Sequence, residues 1–263
     1  MKIKVAINQF KIGANKVENI KKAKEFIMKS ILSESNIIVL PECFVCPYDV
    51  NVFNDYSEVI SDDSKIIQLF KNITSEYTNI YIFAGSIIEK EEELLYNTCL
   101  VFNKGEIISK YRKNNLYKIK MKEHSFSEGD VLSPGTKPTI VDTSFGKIGI
   151  GICYDVRFPE LAKFYQENGC KIIIYPGSFN RITGPVHWKL LQQARALDNL
   201  LYVVSCSAAC SPGSSFESYG KSYVISPWGE VLSETELDKE QIRVIEIDLE
   251  LINELRNKLP ILN

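Results

Sequence analysis

Apolar and polar positions along this chain follow two periods, and the switches between them mark its elements. Lys4–Gln9 reads as a first strand. Across Lys16–Leu32 the period becomes helical, with Val17, Ile20, Ala23, Phe26, Ile27 and Ile31 on one face. Asn36–Leu40 is a short apolar run of the kind a buried strand needs, so the chain opens as a βαβ unit with a parallel pair. A second helix is predicted over Asp63–Glu76 and a strand over Asn79–Glu89. Tyr96–Asn103 and Glu106–Tyr111 predict a hairpin about Lys104-Gly105. Asn114–Pro134 is polar and reads as irregular. Pro138–Asp142 and Lys147–Ile152 predict a strand pair, Phe158–Asn168 a helix and Lys171–Tyr175 a buried strand. Val186–Asn199 predicts a helix with Val186, Leu190, Leu191, Ala194 and Leu197 on one apolar face. Strands over Leu200–Cys206, Tyr219–Ser226 and Gln241–Ile247 and a helix over Leu249–Lys258 complete the chain. The pattern suits an α/β fold, a mixed two-sheet sandwich covered by helices.

Three chemically capable side chains fall where predicted strands end. Cys153 stands where the run Lys147–Ile152 stops and just before the helix at Phe158. Ligands of α/β sheets bind at that edge, and a nearby helix N-terminus favours a thiolate. Free cysteines are also common as small buried apolar groups, so this placement alone leaves both readings open. Glu42 follows Leu40-Pro41 at another strand end, where a solvated loop carboxylate is the plain alternative. Lys113 closes the second hairpin strand within a basic run (Lys110, Arg112, Lys113, Lys118, Lys120, Lys122) that reads equally as a solvated face. Together a thiol, a carboxylate and an ammonium can hydrolyse an amide through a thioester, with thiol as nucleophile, carboxylate as proton carrier and ammonium as oxyanion partner.

Composition narrows the partners. The 263 residues are 45% hydrophobic and 24% charged with a net charge of −2, so no bulk field favours nucleic acid or an anionic membrane. No linker-like stretch divides the chain, and one domain over residues 1–263 is expected. The first residues lack the apolar core of an export signal, and seven cysteines fit reduced thiols in the cytoplasm. Only two histidines, His124 and His187, occur, neither in a ligand pair, and Cys43-Phe44-Val45-Cys46 has no second CxxC, so neither metal nor cofactor is expected. His187 reads as a packing or hydrogen-bonding residue rather than a base.

With those residues in view the chain resembles the nitrilase (carbon–nitrogen hydrolase) superfamily. Leu40-Pro41-Glu42-Cys43-Phe44 resembles its glutamate motif, Lys110-Tyr111-Arg112-Lys113 its lysine motif, and Gly151-Ile152-Cys153-Tyr154-Asp155 with Arg157-Phe158-Pro159-Glu160 its cysteine motif. The resemblance implies a four-layer α-β-β-α sandwich, a Glu42-Lys113-Cys153 triad, homodimers packed through helices near the cysteine motif, and Glu128 as a second glutamate that positions lysine and substrate. Tyr154 would lend its backbone N–H to the oxyanion. Phe179-Asn180, Thr183–Trp188 and Asp198-Asn199 are most similar to the omega-amidase branch, which implies small-molecule substrates such as 2-oxoglutaramate and 2-oxosuccinamate. The deaminated-glutathione amidase branch, or another carbon–nitrogen hydrolase with the same triad, is the nearest alternative. A nitrilase-fold binding module without turnover is a second, against which the intact triad argues; a cysteine protease using His187 is a weak fourth reading. Such a substrate calls for a cation, and Arg157 is the candidate, with a tie to Asp155 or Glu160 as its plain alternative. Asn115, where that branch usually carries histidine, Lys118 at a common aspartate position, and Cys46 and Asp49 in the Cys43–Tyr48 loop depart from the pattern and are expected near the pocket entrance.

Overall fold

A computed structural model describes residues 1–121, 124–214 and 216–259. Lys122 of the basic run lies outside them, and so do residues 260–263 of the expected domain. The chain runs β1 (Lys2–Gln9), α1 (Lys16–Leu32), β2 (Ile37–Val39), α2 (Phe53–Tyr56), α3 (Lys65–Glu76), β3 (Tyr81–Glu91), β4 (Leu94–Asn103) and β5 (Glu106–Arg112). A small hairpin of β6 (Lys118–Met121) and β7 (His124–Ser127) leads to β8 (Thr139–Thr143) and β9 (Gly146–Ile150). Then come α4 (Pro159–Glu167), β10 (Cys170–Gly177), α5 (Lys189–Asn199), β11 (Tyr202–Ser207), β12 (Tyr223–Ile225), β13 (Val231–Glu234), β14 (Gln241–Asp248) and α6 (Glu250–Lys258).

Two six-stranded mixed sheets form, in the orders β14-β1-β2-β3-β4-β5 and β13-β12-β11-β10-β9-β8. Strand alternation assigns their faces. In β1, Val5 and Ile7 enter the core shared with Ile148, Ile150, Ile172 and Ile174 of the second sheet. Ala6, between them, faces the other way into a second core with Phe26 and Ile27 of α1 and Ile67 and Phe70 of α3. Tyr165 of α4 and Ala196 of α5 cover the far side of the second sheet. The four layers are therefore helix, sheet, sheet, helix.

Three features differ from the sequence expectation. The polar stretch after Asn114 contains the β6–β7 hairpin, and β13 follows the Pro227–Glu230 turn. Both are short and carry charged side chains, so neither shows an apolar run. The predicted helix over Val186–Asn199 begins as a π-type turn, Gly184–Trp188, before α5. Most of its apolar stripe also faces outward: Val186 is 65% exposed, Leu190 63% and Leu197 44%, while Leu191 packs against the core. The inward face carries Gln192, Arg195 and Asn199: Arg195 Nε donates to the Val156 carbonyl at 2.9 Å, Gln192 Nε2 to the Trp188 carbonyl and Asn199 to the Arg195 carbonyl, while Gln192 Oε1 has no partner among the described residues.

Candidate active site

Glu42, Lys113 and Cys153 leave three separate strands and meet at one end of the sandwich. Two of the three turns use left-handed backbone. Cys153 has φ +49° and Cys43, just after Glu42, has φ +50°. Such a conformation costs a non-glycine residue about 1–2 kcal/mol, so the surrounding contacts must hold it. Behind Glu42, β3 passes so close to Leu40 and Pro41 that a Cβ at Gly85 would overlap their carbonyl oxygens. Behind Cys153, a Cβ at Gly151 would enter the Tyr175 ring. Those glycines let the two ends reach the same point.

Lys113 is the centre of the site. Its Nζ lies 2.8 Å from Glu42 Oε1 and 2.8 Å from Glu128 Oε2, and all three side chains are fully buried. Asn97 on β4 donates to Glu42 Oε1 at 2.9 Å, and the Tyr48 hydroxyl donates to Glu128 Oε1 at 2.6 Å. Among the described residues Glu42 Oε2 has no hydrogen-bond partner. The Ser178 backbone N–H approaches Cys153 Sγ at 3.4 Å.

One ammonium among two carboxylates and a thiol fixes the electrostatics. Burial would push Lys113 down, but the charges of Glu128 and Glu42 outweigh it and hold it well above its ordinary value. Burial raises Glu42, and the Glu128 charge adds to that against the opposing pull of Lys113. Burial and the Glu42 charge push the Cys153 thiol well up. This corrects the expectation of a helix-stabilised thiolate. The residues after Cys153 form only a five-residue 3₁₀ turn, Cys153–Arg157, and α4 starts beyond it. Cys153 therefore carries a neutral thiol at rest, and such a thiol needs a base beside it to act as a nucleophile.

Asp155 holds the turn that carries Cys153 from beneath. One of its oxygens accepts from the Tyr111 hydroxyl at 2.7 Å and from the Ile152 N–H at 2.9 Å. The other accepts from Asn115. Asn115 thus supports the turn instead of shaping a pocket entrance, while Lys118 is exposed on β6. Sequence reasoning missed Asn97, Tyr48 and Asp155 as parts of the site. A polar Asn97 inside an apolar strand was the one signal available.

Above the thiol opens a small pocket walled by Tyr48, Tyr117, Tyr154, Phe179 and Asn180, with Arg157 at its side. Asn180 donates to the Tyr117 hydroxyl at 2.7 Å, and burial pushes that phenol up to about 12. The Arg157 guanidinium carbon lies 5.4 Å from the Tyr154 ring centre and 5.1 Å from that of Phe179. The alternative tie to Asp155 or Glu160 is not made: among the described residues Arg157 forms no ion pair, and Nη1 contacts His187 Nδ1 at 3.2 Å. All seven cysteines are free and buried. Among the described residues no group of three His, Cys, Asp or Glu is placed to hold a metal ion, and no helix is long and apolar enough to cross a membrane.

An α-β-β-α sandwich with a buried thiol, carboxylate and ammonium at one end has the parts of a hydrolase that works through a covalent acyl intermediate. The sequence pattern of the carbon–nitrogen hydrolases matches residues 4–257, and the chain belongs to that family. It is 41% identical over 260 residues to the protein described as Hydrolase C26A3.11 of Schizosaccharomyces pombe, covering 98% of this chain and 80% of that one. It is 40% identical over 262 residues to Omega-amidase NIT2-A of Xenopus laevis, covering 99% and 94%. The crystal structure of Saccharomyces cerevisiae Nit3, a member of branch 10 of the nitrilase superfamily, superposes with a TM-score of 0.90 at 39% identity, covering 98% of this chain and 94% of that one.

Proposed function

We propose that this chain is an omega-amidase that releases ammonia from 2-oxoglutaramate and 2-oxosuccinamate. The observation that carries this reading is Arg157, a guanidinium without a carboxylate partner among the described residues, in the same small pocket as Cys153. A planar fork of N–H donors suits the far carboxylate of a dicarboxylic monoamide. The pocket has about 220 Å³ of free space counting its open mouth, and Tyr48 and Ser178 also line a neighbouring hollow that reaches Glu42. The omega-amidases among the relatives support the same reading.

In the mechanism Glu42 takes the thiol proton as Cys153 Sγ attacks the amide carbon. Lys113 and the backbone N–H of Tyr154 stabilise the oxyanion. Glu42 passes its proton to the nitrogen, the C–N bond breaks and ammonia leaves a thioester on Cys153. Glu42 then draws a proton from water as it attacks the thioester, the C–S bond breaks, Glu42 returns that proton to Cys153 Sγ, and the 2-oxo acid departs. Glu128 holds Lys113 in register. No metal or cofactor takes part. The chain acts as one carbon–nitrogen hydrolase domain in the cytoplasm, and the outward stripe of Val186, Leu190 and Leu197 is the face for a second copy in a homodimer.

The test is hydrolysis of 2-oxoglutaramate, 2-oxosuccinamate, glutamine, asparagine and a simple nitrile, read as ammonia release, and of deaminated glutathione, read as release of its cysteinylglycine leaving group, with Cys153→Ala as blank. Fast Cys153-dependent release from the two oxo-amides is expected. Preference for deaminated glutathione would move the assignment to that activity, and no release from any of the six would overturn it.

A further inference from the structure

We propose that His187 is the positioning residue for Arg157, and that its neutrality is what leaves the guanidinium selective for a substrate carboxylate. The inference rests on the omega-amidase reading above and concerns how its carboxylate end is recognised.

Arginine always donates, so His187 Nδ1 is the acceptor in the 3.2 Å contact with Nη1 and the ring proton sits on Nε2. His187 is not among the described residues that line the thiol pocket, and its contact with Arg157 links it to that pocket. The π-type turn over Gly184–Trp188 places it there. Such turns insert an extra residue per helical turn and are frequent at functional sites. The next residue, Trp188, is fully buried, and its ring stacks on Phe179 with centroids 4.4 Å apart. Phe179 in turn faces the guanidinium. The turn therefore fixes both the hydrogen-bond acceptor and one aromatic wall around Arg157.

The choice of anchor matters. A guanidinium has five N–H donors, and the contact with His187 occupies one. An aspartate or glutamate in that place would hold the group equally well but neutralise it, and a substrate carboxylate would then have to compete with a resident one. A neutral imidazole and two aromatic faces orient the cation without supplying an anion.

The experiment compares His187→Ala, His187→Asn and His187→Asp with Arg157→Ala on 2-oxoglutaramate, reading KM and kcat separately. A parallel series in the Cys153→Ala background reads the affinity for 2-oxoglutaramate by calorimetry. His187→Ala should raise KM about tenfold, the usual size for losing one hydrogen bond to a charged group, with kcat within about twofold. His187→Asn, which returns a neutral acceptor, should restore KM to within about twofold, whereas His187→Asp, which keeps an acceptor but adds charge, should raise KM by about tenfold or more. In the Arg157→Ala background His187→Ala should add less than about twofold. The proposal is overturned if Arg157→Ala raises KM while His187→Ala does not, or if the Asp and Asn variants behave alike. If Arg157→Ala itself leaves KM unchanged, the carboxylate reading of the pocket falls instead. Should His187→Ala fail to fold, the Asn and Asp pair still decides.

Discussion

Asn115 donates to one oxygen of Asp155 twice, from its backbone N–H and from its side-chain amide, each at 2.9 Å. Asp155 is fully buried, and burial raises its pKa above the ordinary aspartate value despite these donors. The segment that follows the lysine of the site is thereby tied to the turn that carries the thiol. Asn115→Ala removes one of the two bonds. It should destabilise the protein by about 1–3 kcal/mol, read from denaturant unfolding, and lower kcat through a less well-held Cys153. The ranking of amide substrates should not change. A variant of normal stability with altered substrate preference would show that Asn115 acts in the pocket after all.

Cys153→Ala and Cys153→Ser should fold normally and release no ammonia, because the neutral thiol and the base beside it form one unit. Glu42→Gln should stop the reaction before acylation. Intact-mass spectra after substrate addition should then show no covalent adduct. An adduct that forms at the normal rate in Glu42→Gln would remove Glu42 as the base for thiol attack.

The pH dependence follows from the charges around Lys113. Glu42 must be ionised to accept the thiol proton, and its pKa is raised by burial and by Glu128. Activity is therefore lost as pH falls through that raised value, and the acid limb of kcat/KM stands above the ordinary glutamate range of about 4.3. Glu128→Gln removes the neighbouring negative charge and leaves Lys113 to Glu42 alone. Both effects favour ionised Glu42, so the acid limb should move to lower pH even as kcat drops. A limb that stays or moves upward in Glu128→Gln would mean that another group controls it.

Much of the fold was legible because apolar runs and periods are local. The strand-end positions of Glu42, Lys113 and Cys153 could be read for the same reason. What escaped depends on contacts across many residues. Asn97 and Glu42 are 55 positions apart and Tyr48 and Glu128 are 80 apart, so no local spacing announces either bond. The direction of the α5 stripe escaped too, because the buried Arg195 is held by a carbonyl 39 positions away, at Val156, a bond that only the fold supplies. The state of the thiol was misread because a helix N-terminus is visible in sequence, whereas burial and the Glu42 charge are not.

Arg157→Ala is the remaining test of the pocket. The guanidinium lies between Tyr154 and Phe179 and is about half-buried, so a carboxylate bound there is partly shielded from water. Removing one partner of such a pair costs about 2–5 kcal/mol, which corresponds to a loss of about thirtyfold or more in kcat/KM for 2-oxoglutaramate. A neutral amide of similar length, such as butyramide, has no carboxylate to lose and should change by less than about threefold. The ratio of the two values is the informative quantity, because a general disturbance of the Cys153 turn would lower both together. Equal losses would take Arg157 out of the carboxylate site and leave the small apolar walls of the pocket as its main selector.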